Sequence, residues 1–402
     1  MLGDRDGGGR GRAGRGARRS PRGLALEALT QVEAGARANE LLGRLLDRCG
    51  LCERDRHLVT ELVYGTTRMR RACDWLVSTH LRTRTDPVVR AALRMGAYQL
   101  AFMGTPAHAA VDATVAEVSG PGRSVVNAVL RKVAAEVDRG LVTWPDRATM
   151  LSYPDWLAAR LVYDLGADVA WEAMEQMNQP AKANERPDGY IQDPASVAVA
   201  AHLAGFLGRP GARVLDACAA PGGKASALCS TDDPDRLVVG ADRSLRRLRR
   251  MASNFARLGS PGSVALAADA TSPPWRQASF DLVLIDAPCS GLGVLRRRPD
   301  ARYRVQETDL GRLARLQRQL IEAALPSLRP GGILAYCVCT LTKAETAAQD
   351  NWLARAHPEL EALPPPPEPF VPAGRGGLLL PQAAGTDGMY LLVTRLGSAG
   401  VM

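Results

Sequence analysis

Hydrophobic positions change their period once along the chain, and the change divides it. Between Pro21 and Asp138 apolar residues recur three and four apart: Leu24, Leu26, Leu29 and Val32 first, then Leu41, Leu42, Leu45 and Leu46, then Leu58, Leu62 and Val63. That spacing lines one face of an α-helix. Further helices are expected over residues 88–103, 109–118 and 125–137, and strand-like alternation is missing. Residues 21–140 therefore read as an all-α domain. Residues 141–189 carry helical patterns at Trp156–Leu165 and Val169–Met177 and end in the polar, turn-rich NQPAKANERPDG, so they read as a helical linker. Residues 1–20 hold mostly Arg and Gly, with little that could pack, and read as a disordered basic arm.

From Tyr190 the period shortens. Apolar runs at ARVLDAC (212–218), LVVGAD (237–242), VALAAD (264–269), FDLVLID (280–286) and GGILAYCVCT (331–340) alternate with helical patterns at Lys224–Cys229, Ser244–Leu258 and Glu307–Leu328. Near-continuous apolar strands separated by helical crossovers predict an α/β domain over 190–398, its parallel sheet covered on both faces. Met389–Leu396 is expected to add an edge strand, after the stiff Pro364–Pro369 connection.

Composition adds less. Apolar residues make up 46% and charged residues 23%, ordinary for a globular chain of 402 residues and incompatible with disorder throughout. No run approaches the roughly 18 apolar residues a membrane span needs, and the N-terminus has no apolar signal core, so a cytoplasmic protein without a membrane partner is expected. The net charge is +9; of 51 basic residues only Lys132, Lys182, Lys224 and Lys343 are lysines, leaving 47 arginines. Arginine forks onto phosphate, which suits a nucleic-acid partner, but a GC-rich genome would produce the same bias. Cys49 and Cys52 form a lone Cys-x-x-Cys with no second pair at ligand spacing, so no metal site is expected.

Chemistry concentrates at the strand ends, where ligands bind in open α/β sheets. The first strand runs into Asp216-Ala-Cys218-Ala219-Ala220-Pro221-Gly222-Gly223-Lys224, small residues that let backbone N–H groups approach a ligand ahead of a helix. Asp242 ends the second strand at the spacing of a ribose-binding carboxylate, and Asp269 ends the third, where it could accept from an adenine amino group. Three such residues, each closing its own strand, point to a nucleoside-containing cofactor. The fourth strand delivers Asp286-Ala-Pro288-Cys289-Ser290-Gly291 and the fifth Cys337-Val338-Cys339-Thr340. Cys337 reads as a buried small residue; Cys289 and Cys339 read as candidate nucleophiles.

At these residues the chain resembles the RsmB/NOP (Sun, or Fmu) family of RNA cytosine-5 methyltransferases. DACAAPGGK (216–224), DAPCSG (286–291) and YCVCT (336–340) stand in the family's order, and GTDGMY (385–390) is similar to its C-terminal signature. RDRHLVTELVYGTTR (54–68), VRAALRMGAYQL (89–100), TPAHAAVDATV (105–115) and VVNAVLRKV (125–133) resemble the NusB-like RNA-binding domain of the bacterial rRNA enzymes. The resemblance implies a class I Rossmann-like methyltransferase sheet preceded by an all-α NusB-like domain, S-adenosylmethionine as cofactor and small-subunit (16S) rRNA as partner, acting as a monomer without metal. It implies that residues 218–224 wrap the methionine and ribose, Asp242 holds the ribose and Asp269 the adenine. Asp286 would lie between cofactor and cytosine, Cys339 would be the nucleophile that forms a C6 adduct, and Cys289 would help release product. Arg296, Arg297 and Arg298 are expected to hold RNA phosphates or to form a solvated charge run. One departure stands out: the family's Arg-Val-Asn segment and small α/β subdomain are missing between the helical region and DACAAPGGK. That leaves open a small-molecule C-methyltransferase or a non-catalytic RNA-binding factor.

Overall fold

The computed structural model describes residues 20–397 apart from 82–83, 230–232, 234 and 261; the Arg/Gly-rich arm expected over 1–20 lies outside them except for Ser20. The chain divides into two compact units, Met1–Thr143 and Trp144–Met402. The first is helical among its described residues: α1 (Pro21–Glu33), α2 (Ala38–Leu46), α3 (Glu53–Arg68), α4 (Arg70–Ser78), α5 (Pro87–Ala101), α6 (Ala107–Ala116) and α7 (Gly122–Asp138). Local chemistry sets the starts. The Ser20 hydroxyl accepts from Gly23 N, the Asp86 carboxylate accepts from Val89 N, and each is followed by a proline, whose missing N–H costs nothing there. The central helix α5 is buried along most of its length, and α3 approaches it so closely that a Cβ on Gly65 would fall 2.0 Å from the Tyr98 ring. The expected pattern lacks α4, which only Met69 separates from α3.

The second unit runs α8 (Arg147–Met150), α9 (Asp155–Leu165), α10 (Ala167–Gln176), α11 (Pro194–Ala204), β1 (Arg213–Asp216), α12 (Gly223–Leu228), β2 (Leu237–Asp242), α13 (Leu245–Leu258), β3 (Ser263–Ala267) and β4 (Phe280–Asp286). It continues with α14 (Ala301–Arg304), α15 (Glu307–Ala324), β5 (Leu328–Val338), α16 (Ala347–Ala356), β6 (Leu360–Ala362), β7 (Phe370–Ala373), β8 (Gly376–Leu379), α17 (Pro381–Ala384) and β9 (Met389–Leu396). The described strands form one sheet in the order β3-β2-β1-β4-β5-β9-β8-β7, with β6 on β9. The first five are parallel; β9 runs antiparallel to β5 and lies inside the sheet, not at the edge that the sequence pattern predicts. The reason is a β7–β8 hairpin that extends the sheet beyond β9.

Two-residue alternation sorts the strands onto two cores. Leu215, Val283, Ile285, Leu334, Tyr336 and Leu392 face one side; Val214, Leu282, Leu284, Ala335, Cys337 and Leu391 face the other. Burial on both faces is what makes the strands read as unbroken apolar runs. Cys337 has no exposed surface. The order of strands reverses between β1 and β4, which opens a crevice at their carboxyl ends.

The linker expected over 141–189 is in large part not one. Tyr153, Leu157, Leu161, Ala173, Met174 and Met177 are buried in the same core as Leu215 and Ile285. Their apolar stripes are those of helices covering a sheet, and only the polar stretch after Met177 connects. Arg302, with no exposed surface, fastens this segment. Its guanidinium donates to Ser152 O at 3.2 Å and Asn178 Oδ1 at 3.1 Å, and it stacks 4.1 Å from the centre of the Tyr153 ring. Replacing Arg302 with Ala should remove charge-assisted hydrogen bonds worth about 1.5–3 kcal/mol each, together with the ring contact. The expected outcome is a fall of several degrees in the melting temperature of the second unit, read by calorimetry; an unchanged transition would refute the anchoring role.

Candidate active site

The crevice at the β1/β4 switch collects the predicted residues. After β1 the chain turns through residues 217–222 into α12. Gly222 has φ +96°, and a Cβ there would stand 2.7 Å from Met251 Cγ, so the loop can pass beneath α13 only as glycine. The loop is tied down by Ala219 N donating to Ala241 O at 2.8 Å. From the first turn of α12, Lys224 reaches across to β4, its Nζ 2.8 Å from Asp286 Oδ2. Burial alone would pull the Lys224 ammonium down, but Asp286 beside it holds it above its ordinary value. Asp216 lies at the floor, buried, and no side chain bonds either of its oxygens. Burial, then the charge of Asp286, pushes its carboxyl up to about 8. Burial and the same carboxylates push the Cys218 thiol up to about 12, so Cys218 is a neutral wall of the loop.

Parallel pairing sets Asp286 opposite Cys337. The loops that follow bring Cys289 Sγ and Cys339 Sγ to 3.3 Å. The pair shares its protons unequally. Cys339 is held below the ordinary thiol value by the hydrogen bond from Cys289, against its own burial and with help from Arg298 and Lys224. Cys289 is raised by that same bond, by burial and by the nearby charge of Glu345. Thiolate character therefore belongs to Cys339. Gly293 allows this approach: its N donates to Cys339 O at 3.0 Å, its O accepts from Gly388 N at 2.8 Å, and a Cβ would strike Gly388 O.

Glu345 lies behind both loops, with no exposed surface. Its Oε1 accepts from Ser290 N at 2.9 Å and Gln317 Nε2 at 3.0 Å; its Oε2 accepts from Ser290 Oγ at 2.6 Å and Thr342 Oγ1 at 3.1 Å.

The other predicted residues are placed as follows. Asp242 is buried at the end of β2, where Oδ1 accepts from Ser244 N at 2.8 Å and Oδ2 sits 3.2 Å from Arg247 Nη2. Asp269 stands two residues beyond β3, exposed, its carboxyl lowered by hydrogen bonds from Thr271. The arginine triplet is only partly available. Arg296 is buried and donates to Gln179 O, Pro180 O and Gly385 O; Arg297 pairs with Asp193 at 2.6 Å and Asp387 at 3.2 Å; Arg298 alone is exposed. A run of three arginines looks solvated from sequence because its partners lie about a hundred residues away. The sequence pattern marks Asp216 only as a strand-closing carboxylate, without a role of its own, and does not single out Glu345 or Arg186. Arg186 Nη1 donates to Gly223 O at 2.7 Å and Gln192 Oε1 at 2.8 Å, so the connection after Met177 clamps the start of α12. Asp216 has a signal, its place at the end of β1. Glu345 has none, since its donors come from separate segments.

The crevice therefore offers a cradle of small residues with an unpaired buried carboxyl at its floor, fitting a ligand that brings its own donors or a positive charge. Beside it stand the close Cys289–Cys339 sulfur pair and, at the end of β4, the Asp286 carboxylate. Among the described residues no group of three or more His, Cys, Asp or Glu could hold a metal, and no helix is long and apolar enough to cross a membrane.

Known proteins resemble this chain in sequence and fold. Residues 207–394 match the family model "16S rRNA methyltransferase RsmB/F", and residues 19–135 match "NusB family". The chain is 36% identical to ribosomal RNA small subunit methyltransferase B of Thermus thermophilus over 404 positions, covering 92% of this chain and 96% of that protein. It is 33% identical to a putative methyltransferase of Mycobacterium tuberculosis, covering 95% of this chain and 98% of the relative. That alignment runs over 459 positions against the 402 residues here, so the mycobacterial relative carries segments this chain lacks. The crystal structure of PH0851 shares the fold, with a TM-score of 0.73 at 21% identity, covering 93% of this chain and 98% of that one.

The state of Asp216 can be read as a pH dependence. Its carboxyl lies at about 8 in the fold against 3.8 ordinarily, so the stability it contributes is complete below about pH 4 and is lost as pH rises to about 8. The denaturant midpoint of the wild type should therefore fall, relative to Asp216→Asn, between these limits. A difference independent of pH would show Asp216 ionised as usual.

Proposed function

Since this chain belongs to the RsmB/F family of 16S rRNA methyltransferases and carries a NusB-family domain ahead of its catalytic unit, we propose that it methylates carbon 5 of a cytosine through a covalent Cys339 adduct. The methyl donor is S-adenosylmethionine, which when bound supplies a methyl group on a sulfonium. Residues 218–224 would wrap its methionine and ribose, Asp242 the ribose hydroxyls and Asp269 the adenine. The 3.3 Å contact between Cys339 and Cys289 carries the reading, because C5 of cytosine is a poor nucleophile until its ring conjugation is broken.

The chain's own groups then act in order. The Cys339 thiolate donates its electron pair to C6, the ring π electrons shift toward C4 and N3, and N3 takes the proton of an Asp286 carboxyl that enters the step protonated; the proton returns to Asp286 when Cys339 leaves. Lys224, on the other oxygen of Asp286, offsets the charge left there. C5, now enamine-like, accepts the methyl group. A base removes the C5 proton, the C5–C6 double bond re-forms and the C6–sulfur bond breaks, returning the electron pair to Cys339 with the help of Cys289. The target cytosine must leave its stack to be reached on both faces. Cys339→Ala should abolish methylation of cytosine in RNA, measured by transfer of labelled methyl groups. Cys289→Ala should accumulate a covalent protein–RNA complex that survives denaturing electrophoresis. Full activity in the Cys339 variant would overturn the mechanism.

With Arg296 and Arg297 turned inward, the triplet leaves only Arg298 exposed for phosphate, and a larger basic surface lies elsewhere. Helix α13, LRRLRRMASNFARL, carries Arg246, Arg247, Arg249, Arg250 and Arg257 without one acidic residue, and Arg243 precedes it; all six are exposed or half-buried. A compositional excess of arginine would be interleaved with acids, as it is along α15. Met251 and Phe255 commit the apolar face of the helix to the core. Its start adjoins the Asp242 carboxylate and its end docks on Gly189 O and the Tyr190 ring. This face is suited to an RNA backbone. Replacing Arg246, Arg249 and Arg250 with Gln should weaken RNA binding. It should also flatten the plot of log affinity against log salt by about 0.7 for each single-strand phosphate that the variant no longer neutralises. An unchanged slope would show the face merely solvated.

A further inference from the structure

Cys289 and Cys339 sit on loops from different strands, and nothing covalent fixes their separation. What does is a chain of donors that ends on one carboxylate. The Thr340 hydroxyl, next to Cys339, lies 2.8 Å from the Ser290 hydroxyl, next to Cys289. Ser290 Oγ donates its own proton to Glu345 Oε2, and Ser290 N donates to Oε1. On the other side of Cys289, Pro288 O accepts from Gln317 Nε2 at 3.0 Å, and that same nitrogen donates to Glu345 Oε1. Gln317 is held in this orientation because its Oε1 accepts from Tyr336 OH at 2.9 Å, and Tyr336 OH also meets Glu345 O. Cys289 is thus gripped from both flanking residues, and Cys339 is coupled to it through one hydroxyl pair.

We infer that Glu345 is the positioning residue that holds the two cysteine loops in register for reaction. Four donors converge on it: Ser290 N–H, Ser290 O–H, Thr342 O–H and the Gln317 amide. Only a carboxylate offers acceptors on both oxygens. A glutamine of the same shape would point an NH2 group at two of these donors and break the chain. A buried carboxylate without a cationic partner is stable here because hydrogen bonds replace its water. Its charge has a second consequence, since it stands nearer the Cys289 side and keeps the proton there. Glu345 touches neither substrate nor cofactor in this scheme; it acts through Ser290 and Gln317. The inference rests on the proposed roles of the two cysteines, and its test must separate the two.

The test uses the full-length protein with Glu345→Gln, Ser290→Ala and the double variant. Alkylation of Cys339 by iodoacetamide, followed by mass spectrometry across about pH 5–9 without RNA, reads the thiolate directly. Glu345→Gln should slow that alkylation on the order of fivefold or more at neutral pH and move its profile to higher pH. It should lower kcat for RNA methylation on the order of 10- to 100-fold, with KM for RNA and affinity for S-adenosylmethionine within about twofold. The double variant should be no worse than the worse single one, because both break one chain. Glu345→Asp, still a carboxylate, should recover part of the loss. A folded Glu345→Gln with wild-type alkylation profile and kcat overturns the inference while leaving the cysteine chemistry intact. Equal loss in KM, cofactor affinity and kcat also overturns it, as general structural damage. If wild type and variant differ in alkylation but neither methylates cytosine, the proposed function fails and the positioning role stands. Should Glu345→Gln not fold, Ser290→Ala alone decides: unchanged alkylation and kcat there overturn the inference.

Discussion

Parallel pairing of β4 with β5, in one register from Leu282 to Asp286, is the constraint on which the site depends. Ile285 lies opposite Tyr336 and Asp286 opposite Cys337, so the two strands end at one height. Cys289, three residues past Asp286, and Cys339, two past Cys337, then meet above the strand ends. A slip of one residue would exchange every core-facing side chain with its neighbour. It would set Tyr336 among the residues around Ala335 and carry Cys339 to the opposite face. Register is secured by two cores at once, with Leu282 and Leu284 buried on one side and Val283 and Ile285 on the other. The geometry of reaction is thus inherited from hydrophobic alternation far from the chemistry.

Charge is distributed around that geometry with economy. Asp216, Asp242 and Asp286 close adjoining strands, and mutual repulsion in a dry crevice would be costly. One lysine, Lys224, is placed among them and keeps Asp286 paired; Asp242 has Arg247, and Asp216 lowers its own cost by holding a proton. The same cation helps Cys339 carry negative charge, while Glu345 discourages it on Cys289. Two chemically identical thiols acquire different roles from what stands behind each loop.

What is legible in the sequence follows from how local each determinant is. The strands that carry chemistry are short apolar runs with an Asp or Cys at the end, and 237–242 and 280–286 are strands with the bounds the pattern gives, as is 389–396, although its place in the sheet differs. Helix α11 leaves no such trace, because Pro194–Ala204 is almost uniformly small and apolar and shows no polar face. The β7–β8 hairpin is hidden because Gly376 and Gly377 carry no strand signal; at Gly376 the chain has no room for more, since a Cβ would strike Leu391 O and the Tyr390 hydroxyl. Residues 141–189 look like a linker because burial of Leu157 and Met174 depends on strands far along the chain. The inward turn of Arg296 and Arg297 and the gathering of donors on Glu345 are likewise properties of contacts between distant segments, which no local window contains.

The 3.3 Å separation of Cys289 and Cys339 sets a demand on the surroundings of the protein. A disulfide needs the sulfurs at about 2.05 Å, a closure of little more than one ångström between two loops. The thiolate character of Cys339 also makes it the better attacking group once its neighbour is oxidised. Loss of two electrons and two protons to a peroxide would join the pair and leave no sulfur able to add to a ring, with the fold undisturbed. With Cys339 as the proposed nucleophile, methylation would run only where thiols are kept reduced, and the sulfur pair would tie the reaction to the redox state around it.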